Sequence, residues 1–208
     1  RWGLFPSVAL GWKIKEEGFM KDVDAVSDLK LRLGYGITGQ QDISQGDYPY
    51  MATYFAGQDG AYYQFGDQFV PIARPDGYNP NLKWEQTAML NIGLDFTLFN
   101  SRLSGTIEWY DKRTKDMLYN YEVSTPTYVY NQIQANVGDM KNTGVEILLN
   151  LDVIRNKDFT WTTSLNLAHN KNEITKLSNE LFSTGRVYVG DPWIRGASGV
   201  TSHVVEEG

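Results

Sequence analysis

The 208-residue sequence contains no cysteine. That excludes disulfide frameworks, thiol catalysis and cysteine-based zinc sites, while leaving the compartment open. Histidine is scarce too: only His169 and His203 occur, so neither a metal site nor a histidine general base is expected. No Gly-x-Ser-x-Gly elbow announces a nucleophile. No run approaches the roughly 20 apolar residues of a membrane helix. Basic excess is also missing. The formal net charge is −6, which argues against nucleic acid as a partner. A mean hydropathy of −0.41 resembles that of a soluble protein, but a β-barrel with a polar lumen reads the same way. The chain opens on Arg1-Trp2 with no signal peptide and ends at Val204 to Gly208 with no closing element, so it is expected to be a fragment.

What is present is alternation. Leu90, Ile92, Leu94, Phe96 and Leu98 fall on one face of a strand, and Met89, Asn91, Gly93, Asp95 and Thr97 on the other. After a short turn the pattern resumes, with Leu103, Gly105, Ile107 and Trp109 against Ser104, Thr106, Glu108 and Tyr110. A period of two with one wholly apolar face and one charged face is a strand between two different solvents. A dry core rarely accepts unpaired acids such as Asp95 and Glu108. The arrangement is that of a transmembrane β-barrel wall, apolar outside and polar inside. Six such segments are expected, at residues 2–14, 29–39, 84–99, 102–118, 142–153 and 159–172. They form an antiparallel up-and-down meander, an all-β fold. Lys30, Arg32, Asp95, Glu108, Glu146 and Asp152 fall on the inward faces.

The connections alternate in length. Short turns follow the third and fifth segments, and the link 15–28 carries Phe19, Met20, Val23 and Val26 at the spacing of a short helix. Long loops span 40–83, 119–141 and 173–208, which is the asymmetry of outer-membrane barrels with their long loops outside the cell. Trp84 and Trp109 are expected near the outer strand ends, and Trp12 and Trp161 near the inner ends, as interfacial girdles. His169, at the outer end of the sixth segment, suits the same interface. Gly34-Tyr35-Gly36-Ile37-Thr38-Gly39 matches the dinucleotide fingerprint by letter, but no helix follows to bind a pyrophosphate, and no cofactor is expected. The adjacent acids Glu206 and Glu207 would point opposite ways in a strand, which is no glycosidase pair.

Several stretches resemble SusC/RagA-type TonB-linked outer-membrane proteins of Bacteroidetes. They include the opening 2–12, Leu29 to Gly39, Asn79-Pro-Asn-Leu-Lys-Trp-Glu85 and Asn91 to Phe96. Tyr110 to Leu118, Asn136 to Glu146, Phe159 to Trp161 and Asn170 to Leu177 extend the resemblance in order over nearly the whole chain. It is weakest in 41–78 and after Asn179. The resemblance implies one segment of a TonB-dependent receptor barrel of about 22 strands with a plugged lumen. In the outer membrane of a Gram-negative bacterium, such a receptor imports a glycan or oligopeptide, a SusD-like surface lipoprotein caps it, and TonB drives it through the plug. No enzymatic activity is implied. The inward charged residues are then expected to contact the plug or line the lumen.

The loop aromatics Tyr48, Tyr50, Tyr54, Tyr62, Tyr63, Phe65, Tyr128 and Tyr130 offer rings for stacking on sugar faces. Packing of the loops on each other or against the lipoprotein is the reading placed ahead of it. The alternative for the whole chain is a soluble, secreted all-β carbohydrate-binding module, in which the apolar faces meet across a sandwich.

Overall fold

The computed structural model describes residues 2–40, 50–55, 62–75, 77–122, 132–178, 186–190 and 201–208. Its strands are β1 (Ser7–Lys13), β2 (Val26–Gln40), β3 (Tyr54–Phe55), β4 (Tyr62–Phe65), β5 (Gln68–Pro71), β6 (Arg74–Pro75), β7 (Glu85–Leu98), β8 (Leu103–Glu122), β9 (Gln132–Arg155), β10 (Thr160–Lys176), β11 (Arg186–Val189) and β12 (His203–Glu206). Six form one antiparallel sheet in the order β1-β2-β7-β8-β9-β10. The short strands pair locally, β3 with β6, β4 with β5 and β11 with β12.

Local chemistry sets the strand ends. Pro6 has no N–H to add to a ladder, and its carbonyl takes one last bond from the Ile37 N–H at 3.0 Å before β1 begins. The β7–β8 turn carries Phe99, Asn100 and Ser101 at positive φ. The link before β2 is not one short helix but two 3₁₀ turns, Ile14–Glu16 and Gly18–Met20, separated by an extended Glu17. Lys15 Nζ crosses it and donates to the carbonyls of Met20 and Val23, each at 2.9 Å.

Register shows how the faces are built, because directly opposed residues share a face. One row runs Leu10, Leu33, Ile92, Trp109, Val145, His169, and the next runs Trp12, Leu31, Leu94, Ile107, Ile147, Leu167. These side chains are uncovered; Leu167 keeps 52% of its surface exposed and Leu10 65%. The sheet is a single layer among the described residues, with no second sheet against its apolar side.

The apolar band crosses the rows obliquely. On β2 it persists to Ile37, whose row continues through Ala88 to Arg113 and Lys141. On β9 it ends at Val145, in the row of Leu33. The upper boundary thus drops from the level of Ile37 to that of Leu33, about 13 Å of strand, over three strand spacings, about 14 Å. The lower boundary slopes the same way but less steeply, from Val26 on β2, in the row of Leu98, Leu103 and Leu151, to Trp161 on β10, which lies below Thr163 of that row. A band level with a flat boundary gives this drift when the strands tilt by about 40°, within the roughly 35–45° of membrane barrels. The nine residues Leu90 to Leu98 then rise about 23 Å, close to the height of an outer-membrane hydrocarbon layer.

β8 and β9 run on well past the expected ends at 118 and 142, reaching Glu122 and starting at Gln132. Much of the expected loop 119–141 is therefore paired strand. Alternation fails to signal it because the register slips at Thr114, Met117 and Leu118 and Asp116 takes φ 56°, which breaks the period of two. Of the few buried apolar side chains, Ala135, Val137 and Ile133 belong to this extension and Leu82 to the segment before β7. Trp84 lies beyond the apolar band. It precedes β7 by one residue, about 20 Å of strand beyond Leu90, and its ring packs 6.2 Å from that of Phe5. Trp109 lies mid-strand, yet it is the last apolar residue before Asp111 on its face, while Trp12 and Trp161 sit near the ends of β1 and β10.

Candidate functional site

The polar face gathers the charges. Lys30 opposes Asp95, Arg32 opposes Gly93, Gly93 opposes Glu108, and Glu108 opposes Glu146. Asp152, opposite Thr162, is on the same face further along β9. All six residues singled out from the sequence thus share one side of the sheet. Arg32 makes the centre of the group because Gly93 offers no side chain: a Cβ there would meet its Nη2 at 2.7 Å. Lying across that gap, Arg32 donates from Nε to Asp95 Oδ2 at 2.8 Å and from Nη2 to Asp95 Oδ1 at 3.1 Å. Its Nη2 also stands 3.5 Å from Glu108 Oε2. Thr106 Oγ1 donates to Asp95, and Asn91 Nδ2 to Glu108. Both ends of the bidentate pair are about a third exposed, so solvent screening keeps its net worth to about 1 kcal/mol. Glu146 is exposed and enters no ion pair among the described residues. Beside the cluster, Gly11, Gly34 and Gly36 floor a recess of about 590 Å³ that reaches Arg32, Asn91 and Glu108.

Two cross-strand pairs place an aromatic ring over a glycine, one on each face. Phe96 opposes and covers Gly105 on the apolar side, and Tyr110 opposes and covers Gly144 on the polar side. Tyr110 is almost fully buried there, with Lys112 Nζ 5.2 Å from its ring centre. Such pairs replace the packing a glycine forfeits and pin the register.

A third feature was not legible beforehand. Asn136 Oδ1 accepts from the Lys83 N–H at 2.8 Å, while its Nδ2 donates to the Lys83 carbonyl at 3.0 Å and to the Asp116 carbonyl at 2.7 Å. The side-chain amide thus pairs with Lys83 as another strand would. Asn79 Nδ2 adds a bond to the Gln134 carbonyl at 3.1 Å, and its Oδ1 receives the Asn81 N–H. The stretch before β7 is laced to the β8–β9 extension. The only prior signal was that both partners lie in stretches carrying the family resemblance.

Of the loop aromatics, Tyr50, Tyr54, Tyr62, Tyr63 and Phe65 are exposed; Tyr48, Tyr128 and Tyr130 lie outside the described residues. The rings of Tyr63 and Phe65 meet at a tilt of 54° with 4.7 Å between centroids on the β4–β5 hairpin, which Gly66 at φ 60° turns. Beyond the apolar band, on the apolar side, Arg113 donates to Asp111 at 2.8 Å and holds its carboxyl below the usual range. Lys171 does the same to Glu173 through a 2.9 Å bond.

The family described as "TonB dependent receptor-like, beta-barrel" matches residues 1–198. The chain is 47% identical to the TonB-dependent receptor SusC of Bacteroides thetaiotaomicron over 196 residues, covering 94% of this chain and 19% of that protein. It is 42% identical to the TonB-dependent receptor P39 of Formosa agariphila, covering 88% of this chain and 17% of that protein. Among solved structures it resembles the RagAB peptide transporter, with TM-score 0.72 and 31% identity over 89% of this chain and 19% of that one. It also resembles the RagAB peptide importer in its "open-open" state, with TM-score 0.75 and 30% identity over 98% of this chain and 20% of that one. The chain spans about a fifth of the length of the curated relatives it matches. These likenesses replace the sandwich alternative, for which the apolar faces would have to meet one another.

Proposed function

The chain belongs to the TonB-dependent receptor-like β-barrel family, and from that premise we propose that it is one section of the wall of an outer-membrane nutrient importer. The apolar face meets lipid, the polar face lines the lumen, and the β8–β9 extension stands outside the cell. The cargo is an oligomeric nutrient, a glycan or an oligopeptide, received under a SusD-like surface lipoprotein and moved by TonB acting on a plug. The wall positions and binds; it carries no catalytic group. The observation that supports this most directly is the oblique apolar band, because a tilt of about 40° is what closes strands into a lipid-facing barrel.

Fractionation of the native envelope tests the reading. The intact gene product is expected in the outer membrane, with an electrophoretic mobility that shifts on boiling. A soluble or periplasmic protein with no shift would overturn it.

The lumen charges have a role in this scheme. Glu108 and Glu146 face each other directly across β8 and β9, where like charges repel. Arg32 reaches Glu108, and a basic side chain of the plug would complete the arrangement at Glu146. Substituting both, Glu108→Gln with Glu146→Gln, is expected to loosen the plug while leaving the barrel folded. Entry of a bulky antibiotic excluded by the wild type is the measurement; unchanged exclusion with normal import would count against plug contact at these positions. Replacing Tyr62, Tyr63 and Phe65 together by alanine is expected to reduce cargo uptake several-fold without changing the amount of folded receptor. Uptake equal to wild type would assign those rings to loop packing alone.

A further inference from the structure

Immediately above the apolar band, on the same outward side, the sheet carries a belt of charge. Asp111 follows Trp109 on that face, and its row continues through Thr143 to Lys171. The next row holds Arg113, Lys141 and Glu173. Asp111 is held by two cations, Arg113 at 2.8 Å and Lys141 at 3.8 Å, and Glu173 by Lys171 at 2.9 Å. Arg113 and Lys171 keep 62% and 70% of their side-chain surface and Lys141 41%, against 12% for Asp111 and 33% for Glu173. Three cations against two acids, fixed at the height where hydrocarbon gives way to headgroups, make a surface complementary to anions that are themselves anchored in the membrane.

We infer that Arg113, Lys141 and Lys171 bind the phosphate groups of glycolipid headgroups in the outer leaflet. The inference rests on the proposal that this face meets lipid. Asp111 and Glu173 offset part of this charge through their ion pairs, so the five groups together carry a net charge of +1. Asp111 takes the Nε and Nη2 donors of Arg113, which leaves the outer edge of the guanidinium for phosphate, and the two lysines supply point charges beside it. The acyl chains of the same lipid would lie on Ile107, Ile147 and Leu167 in the rows below.

The test uses the intact receptor in nanodiscs of phosphatidylcholine doped with a phosphorylated lipid A, with the lipid A retained per receptor read by native mass spectrometry. The triple variant Arg113→Gln, Lys141→Gln, Lys171→Gln is expected to lose retention by about five-fold per cation, on the order of 100-fold in all. Phosphatase-treated lipid A should be retained equally weakly by both proteins. Inorganic phosphate should compete only at high concentration, since it lacks the acyl anchor. A second variant, Asp111→Asn with Glu173→Gln, raises the net positive charge and is expected to increase retention. Retention that neither variant changes would overturn the inference, as would a change in oligomeric state with lipid retention unaltered, which would assign the belt to a contact between copies. Each sample is checked for its boiling shift: a missing shift in the wild type defeats the barrel reading itself, whereas an intact shift with unchanged retention defeats only the lipid site.

Discussion

Gly144→Val in the intact receptor will sharply reduce the amount of protein that reaches the heat-modifiable, folded state. A Cβ at Gly144 meets the Tyr110 ring at 2.6 Å and the His169 carbonyl oxygen at 2.9 Å. The ring can swing aside, but the carbonyl belongs to the β9–β10 ladder and can move only with the register. Overpacking against backbone costs about 3 kcal/mol, and Tyr110, once displaced, gives up its burial as well. Gly34→Ala provides the contrast. It lies on the same polar face, at ordinary φ and with nothing within 4 Å of the new Cβ, so the folded yield should stay within about 0.5 kcal/mol of wild type. Equal behaviour of the two variants would show that Tyr110 and Gly144 do not pin the register.

Asn136→Ala comes next in expected effect, and its consequence is local. It removes the three bonds by which the Asn136 amide ties Lys83 and Asp116 to β9, leaving only the Asp116 N–H to Asp139 Oδ1 among those described. Allowing for water at the more exposed end, the loss is about 2 kcal/mol. The stretch before β7 should then open more often, and tryptic cleavage after Lys83 in the folded receptor should rise about 30-fold. Asn136→Asp should be no better than alanine, because a carboxylate keeps one acceptor but turns two donations into repulsion between oxygens. Protection equal to wild type in both variants would mean that this stretch is held by something other than Asn136.

Much of this architecture can be read directly from the residues, and the reason is the solvent. Where a strand separates lipid from water, every second side chain must change character, so Leu90 to Leu98 and Leu103 to Trp109 declare both their faces and their level. Arg32, Asp95 and Glu108 can be read for the same reason, since charge on a strand with an apolar opposite face has only one side to occupy. Legibility stops where both faces meet water. There β8 and β9 continue without alternation, and the slip near Asp116 erases the period. It stops again where a role depends on a distant partner: Asn136 could not be matched to Lys83 without the fold, nor could Gly105 and Gly144 be seen as seats for Phe96 and Tyr110 before the register was known. The ring partner of Trp84 is likewise a matter of the fold. A tryptophan beside a strand start invites an interfacial reading, but its ring lies against Phe5, well beyond the last apolar row.

The central claim is that the two faces of this sheet meet different solvents. Single nitroxide labels at successive positions from Met89 to Leu98, in the intact receptor reconstituted in lipid, measure it directly. The account predicts that labels at positions 90, 92, 94 and 96 relax with oxygen dissolved in the bilayer. Labels at 91, 93 and 95 should respond instead to a water-soluble nickel chelate or be shielded by the plug. Even positions shielded from both reagents, as in a sandwich core, or equal access of the chelate to both sets, would contradict it.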